Sequence, residues 1–232
     1  MKYSRIFILA CLPLIVVNLT AEIYELEWLA TTAEILIYCL LLIGFYRRLE
    51  FYNLNISGFF SFSLLATTMF YFHEQRLIFF FAVFINMISY FFLMREALRY
   101  TQREAANKFM LLFFFVLIAV NIYFLFQHLQ QLEIHITGML EFGFYSVYYI
   151  NLIVLGIVAL IYYLNSFSRK SVFFISMVLS LIVADVLRDM AAFYLRDPSV
   201  IFIENVLRFA SVILAFEFFA TEEKKLRLIN LV

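Results

Sequence analysis

The chain predicts an all-α fold: a polytopic membrane protein of eight transmembrane helices in one bundle, with the N-terminus and the C-terminus both inside. Three observations predict it. Of 232 residues, 66% are hydrophobic, 20% aromatic and only 15% charged, whereas a soluble domain carries about 45 to 50% apolar and about 25% charged residues. Eight apolar runs follow one another, each approaching the ~20 residues that cross ~30 Å of hydrocarbon. Lys and Arg also alternate from loop to loop, as they do across a membrane.

The first run, 6–20, follows Lys2 and Arg5. Its Leu19-Thr20-Ala21 could pass for a signal-peptidase site, and cleavage there would leave seven spans with the new N-terminus outside. We read the run as retained, because it begins a continuous series of spans and the site lacks a clean small-x-small pattern. Ile8-Leu9-Ala10-Cys11 is a poor lipoprotein match, since Leu9 is too bulky and the apolar stretch before Cys11 too short. The second span, 28–46, carries Glu34 six residues from its outer end, about 9 Å deep at 1.5 Å per residue, with Tyr38 one turn further.

The third and fourth spans, 57–72 and 77–94, form a hairpin, and Asn86 lies in the second of them. Arg95, Arg99 and Arg103 continue that helix as a basic stripe suited to anionic lipid. The fifth, 109–126, holds Asn121; the sixth, 139–164, holds Glu141, Tyr145, Tyr149 and Asn151. These polar groups match Glu34 in depth, which suggests a cavity opening outward; interhelical hydrogen bonding as packing glue is the alternative. Tyr145, Tyr148 and Tyr149 taken alone read as interface-belt or packing residues. Phe79-Phe80-Phe81, Tyr90-Phe91-Phe92 and Phe113-Phe114-Phe115 read as lipid-facing and packing side chains.

The last two spans, 172–195 and 200–220, carry charges where hydrocarbon tolerates few. A charge near the bilayer centre costs at least ~2.5 kcal/mol on insertion scales, so it turns inward and is paired or functional. Asp185, Arg188 and Asp189 share one helical face by their i, i+3, i+4 spacing, and Glu204 and Arg208 share another. If the hairpin turns about Asp197, Asp185 comes within reach of Arg208, and Arg188 within reach of Glu204. Those two cross-helix ion pairs are the expectation, with Asp189 and the neighbouring Asn205 left to line a cavity that handles a polar head group or a proton.

With the N-terminus inside, 13 of the 17 Lys and Arg residues fall on the inner side. Only Arg76 and Arg196 lie in outer loops, and Arg188 and Arg208 lie within spans. The outer loops gather several carboxylates and all three histidines, His73, His128 and His135, but their spacing fits no compact metal motif. We expect no metal. Cys11 and Cys39 lie in apolar spans and read as reduced hydrophobes. The formal net charge of zero suggests no nucleic-acid partner. No phosphate-cradling loop, nucleophile elbow or nicotinamide fingerprint is present, and no lysine lies in a span to form a retinal Schiff base, so no cofactor is expected.

Eight spans with both ends inside resemble the lysoplasmalogenase-like (YhhN-like) family. Ser63-Leu64-Leu65 followed by Gln75-Arg76-Leu77 looks like the family's hairpin of the third and fourth spans, and Ala184-Asp185 looks like its small-residue-plus-Asp position. The resemblance covers about a third of the chain. It implies cleavage of the vinyl-ether bond of a lysoplasmalogen, with release of an aldehyde. The family would place Gly-Asp after Ser-Leu-Leu and a histidine in the next span; this chain has Ala66-Thr67 and the neighbourhood of Asn86 to Ile88 at those positions. Asp185 is kept, and Glu34 or Asp189 would have to supply the proton.

Three functions therefore stand. The first is a lysolipid-ether hydrolase with Asp185, Asp189 and Glu34 as catalytic candidates and Arg188, Glu204, Asn205, Arg208, Asn86 and Asn121 as binding candidates. The second is a non-catalytic lipid-binding or partner-binding membrane component. A small transporter ranks last, because neither internal repeats nor broken helices are legible. Membrane lipid is the expected partner, and the bacterial inner membrane the expected location.

Overall fold

The computed structural model describes residues 2–24, 26–49, 52–72, 76–101, 108–136, 138–166, 168–195 and 197–223. They form eight helices: α1 (Lys2–Ile23), α2 (Glu27–Phe45), α3 (Leu54–Phe70), α4 (Arg76–Tyr100), α5 (Lys108–His135), α6 (Met139–Ser166), α7 (Arg169–Phe193) and α8 (Pro198–Ala220). Seven are long and apolar enough to cross a membrane. The eighth, α3, has 17 residues, about 26 Å at 1.5 Å per residue and so at the lower limit for a span. The expected eight runs thus all fold as helices, one of them short.

The closest packing is within the hairpins α1–α2, α3–α4 and α7–α8, with α6 joining α4, α5 and α7. Large apolar side chains face outward all round, among them Leu9, Ile43, Phe91 and Phe115, the last 71% exposed. A surface of that kind is stable only against lipid. The structure is that of an integral membrane protein.

Polar residues fix the helix ends. Asn53 caps α3 by accepting from the Asn55 amide at 3.0 Å, and the Asn53 and Asn55 side chains both donate to Glu96 on α4. Ser168 and Ser171 form a reciprocal capping box at the start of α7. Asp197 caps α8 by accepting from the Ser199 amide at 2.7 Å, with Pro198 in the first turn. Hydrogen bonds from Ser199 hold the exposed Asp197 carboxyl below its usual range. This cap therefore persists at neutral pH and is lost only as pH falls through that lowered value.

Arg48, Ala220 and Glu223 lie at the end of the bundle that holds the start of α1 and the end of α8. Arg48 donates to the Ala220 carbonyl, and Tyr162 and Ser166 donate to Glu223. A cluster of phenylalanine rings fills the core towards this end, with Phe60 stacked on Phe216 at 4.4 Å between centroids. Arg95 and Arg99 are exposed there, as a basic stripe requires. Arg103, His73 and Arg196 lie outside the described residues.

Two glycines let helices meet closely. A Cβ on Gly44 would stand 2.6 Å from the Phe7 Cβ, and one on Gly58 2.9 Å from the Phe92 ring. Gly143 has open space where its Cβ would be. Gly44→Ala is therefore expected to loosen α1 from α2 at a cost of about 1 to 3 kcal/mol, whereas Gly143→Ala leaves thermal unfolding in detergent unchanged. Equal unfolding temperatures for the two variants would contradict the close approach. Pro13 lies inside α1, where the sequence reading saw no break, and the helix runs on through it.

Candidate functional site

The three charges of α7 turn inward as their spacing requires, with Asp185 4% and Asp189 1% exposed. Their pairing differs from the expectation. Arg188 lies between the two carboxylates of its own helix, its Nη1 3.3 Å from Asp185 Oδ1 and its Nε donating to Asp189 Oδ1 at 3.2 Å. On α8, Arg208 closes on Glu204, with Nε donating to Oε1 at 2.7 Å. Among the described residues, neither the Asp185–Arg208 nor the Arg188–Glu204 ion pair forms. The reason is distance: side chains three or four apart on one helix already stand about 5 to 6 Å apart at Cβ, whereas packed helix axes are about 8 to 10 Å apart.

The remaining donors to Asp185 come from other helices. Tyr90 of α4 donates to Oδ2 at 2.7 Å, and Tyr148 of α6 donates to the same oxygen. Asn86, one turn before Tyr90, donates to the Tyr90 oxygen at 2.8 Å. Arg188 also lies over the rings of Phe70 and Tyr148, its guanidinium carbon 5.1 and 5.9 Å from their centroids. Asp185 is thus an acceptor held by two hydroxyls and a guanidinium, with a fixed orientation.

Asp185 lies on the wall of a small cavity between α2, α3, α4, α7 and α8, shared with Glu34, Tyr38, Ser63, Asn86 and Arg208. Tyr38 and Ser63 bond to each other at 3.0 Å. The cavity measures 40 Å³. One water needs about 10 to 15 Å³ on that measure, so a few waters fit and a lipid head group does not. Glu34, Asn86, Asp185 and Arg208 therefore meet as the sequence suggested. Asp189 and Arg188 adjoin them through Asp185, and Glu204 through Arg208.

Two candidates lie elsewhere. Asn205 is buried, but its amide donates back to the Ile201 carbonyl at 3.0 Å. Asn121 is exposed on α5, donates to the Leu117 carbonyl, and borders an apolar groove between α5, α6 and α7.

Sequence reasoning missed a histidine and the role of the tyrosines. The fifth helix runs on to His135, nine residues past its expected end, and carries His128 into the bundle. There His128 Nδ1 meets the Tyr194 hydroxyl at 2.6 Å and Nε2 meets the Tyr149 hydroxyl at 2.7 Å. Tyr149 in turn donates to Asp189 Oδ2 at 2.7 Å. Leu125, His128 and Leu132 are spaced three and four apart, the signature of one buried face, and that was legible.

The order of donors fixes the tautomer of His128. A hydroxyl has one proton, and that of Tyr149 goes to the Asp189 carboxylate, so the Tyr149 oxygen accepts from Nε2–H. Nδ1 then accepts from Tyr194. Nitrogen NMR of labelled protein at a pH where Asp189 is ionised is expected to show the Nε2–H form; an Nδ1–H form would contradict this ordering.

Among the described residues no group of three or more His, Cys, Asp or Glu side chains is placed to hold a metal ion. No protein-family model, curated protein or solved structure matches this chain.

Proposed function

We propose that this membrane protein is a lysolipid-ether hydrolase, and that Glu34 and Asp185 carry the chemistry. The observation that supports this reading is the meeting of two carboxyl groups and the Arg208 guanidinium on one water-sized cavity inside the bundle. The resemblance to the lysoplasmalogenase-like family, carried by Ser63 and Asp185, supplies the reaction, and both residues line that cavity. The Lys and Arg count supports a cytoplasmic location for both termini.

Vinyl-ether hydrolysis needs a proton donor and an oriented water. Glu34 gives its proton to the alkene carbon remote from the ether oxygen, leaving an oxocarbenium at the other carbon. A water held by Asp185 attacks that carbon and loses a proton to the emptied carboxylate, which restores Glu34. The hemiacetal so formed collapses into an aldehyde and the glycerol hydroxyl. Arg208 offsets the negative charge of the carboxylates during the cycle. Because the cavity has room for a few waters and no more, the ether bond reaches it as lining rings such as Phe70 give way.

Purified protein in detergent, given a lysoplasmalogen, is expected to release aldehyde, and Glu34→Gln is expected to stop it. No release by the native chain would overturn the reading. A second reading is favoured by the cavity's small volume together with the apolar groove of 220 Å³ beside Asn121, Gly156 and Ile182. It is a non-catalytic lipid-binding component, whose mark is an acyl lipid that co-purifies without turnover.

A further inference from the structure

From the end of α7 to the interior, the structure strings four groups on three helices into one hydrogen-bonded line. Tyr194, just past α7, is half-buried and lies against the exposed His135, with 5.7 Å between the ring centroids. It bonds to His128 of α5, which bonds to Tyr149 of α6, which bonds to Asp189 of α7, at 2.6, 2.7 and 2.7 Å. Exposure falls along the line: His128 is 7%, Tyr149 2% and Asp189 1% exposed. His128 and Tyr149 each accept from one neighbour and donate to the next, Tyr194 heads the line as a donor, Asp189 ends it as an acceptor, and the donors all point inward.

We propose that Tyr194, His128 and Tyr149 form a proton-transfer path that loads the buried carboxylate of Asp189 from water at this end of the bundle. A proton arriving at the Tyr194 oxygen displaces that hydroxyl's own proton to Nδ1 of His128. The imidazole releases its Nε2 proton to the Tyr149 oxygen, and the Tyr149 hydroxyl proton passes to Asp189 Oδ2. One proton enters and one carboxylic acid forms. Histidine is the side chain suited to the middle of such a relay, having a donor and an acceptor on opposite edges.

The surroundings give the path a purpose. Glu34, Asp185, Asp189 and Glu204 face Arg188 and Arg208 in the same interior, four acids against two bases, an excess that a low-dielectric site does not hold as bare charge. Asp189 itself is faced by Arg188 and Asp185 on α7 and by Tyr145, Tyr148 and Tyr149 on α6, with Glu141 at the start of that helix. Among the described residues it is reached from α5 through His128, and on α8 the charges of Glu204 and Arg208 are closed on each other. The path does not depend on the hydrolase reading, since it ends on Asp189, which the proposed chemistry does not use.

The test is a pH jump on the full chain in phospholipid nanodiscs, with the carboxylic-acid stretch followed by time-resolved infrared spectroscopy. Asp189→Asn assigns the band. His128→Gln, which keeps hydrogen bonds to both tyrosines but does not pass a proton, is expected to slow the appearance of that band about tenfold or more. Its final amplitude should be unchanged, a result that a merely structural role for His128 would not give. If His128→Gln does not fold, Tyr194→Phe, which keeps the ring and removes one hydroxyl, decides in the same direction. An unchanged rate, or the absence of any Asp189 band across the titration range of carboxyl and imidazole groups, would overturn the proposal.

Discussion

Arg188→Ala is expected to lower the stability of the folded protein by about 3 to 5 kcal/mol, the range found when one partner of a buried ion pair is removed. Arg188 pairs with two carboxylates at once, Asp185 and Asp189, and both are almost wholly buried. Without it two acids of one helix stand one turn apart with no base between them. The side chain also covers the faces of Phe70 and Tyr148, so packing is lost with the charge. Arg188→Lys should recover only part of the loss, because an ammonium cannot fork between two carboxylates as a guanidinium does. Adding Asp185→Asn and Asp189→Asn to Arg188→Ala should recover more, since no bare charge is then left. Unfolding followed in detergent or bicelles measures this, and a loss below about 1 kcal/mol would mean that Arg188 is hydrated rather than enclosed.

Asp185→Asn separates chemistry from architecture. The substituted amide oxygen can still accept from Tyr90 and Tyr148, and Arg188 keeps Asp189, so unfolding should change little. Aldehyde release from a lysoplasmalogen, in contrast, should fall by about 10² to 10⁴-fold, the usual contribution of a positioned acid or base. Tyr148→Phe removes one of the two hydroxyls that hold Asp185 and should give a smaller loss. Full turnover with Asp185→Asn would remove Asp185 from the mechanism while leaving the fold as described.

The fold was legible because hydrocarbon imposes a simple rule, a long apolar run closed by its own backbone hydrogen bonds. The exceptions have physical causes. The apolar run of the fifth span stops near residue 126, but the helix continues through Gln127, Gln130 and Gln131 because glutamine is a good helix former and Leu129 and Leu132 keep an apolar face beneath them. The same misplaced end put His128 in a loop and hid the line from Tyr194 to Asp189. The inward face of α7 was readable from Asp185, Arg188 and Asp189, because charge leaves only one choice of side. The role of Tyr145, Tyr148 and Tyr149 was not, because tyrosine is equally at home in the interface belt and in the interior, so residue type did not choose between the two although their spacing puts them on one face. The pairing of Arg188 and Arg208 was misjudged for a further reason: periodicity tells which groups share a face, but a long flexible arginine settles on the nearest acid, and here that acid lies on its own helix.

The account rests on two charge clusters, each with its arginine paired within its own helix, facing one interior cavity. Double-mutant cycles on stability test this most directly, comparing Glu204 with Arg208 and Asp185 with Arg208. The account predicts a coupling of about 0.5 to 3 kcal/mol within α8 and a markedly smaller one between the helices. A larger coupling for Asp185 with Arg208 than for Glu204 with Arg208 would contradict it.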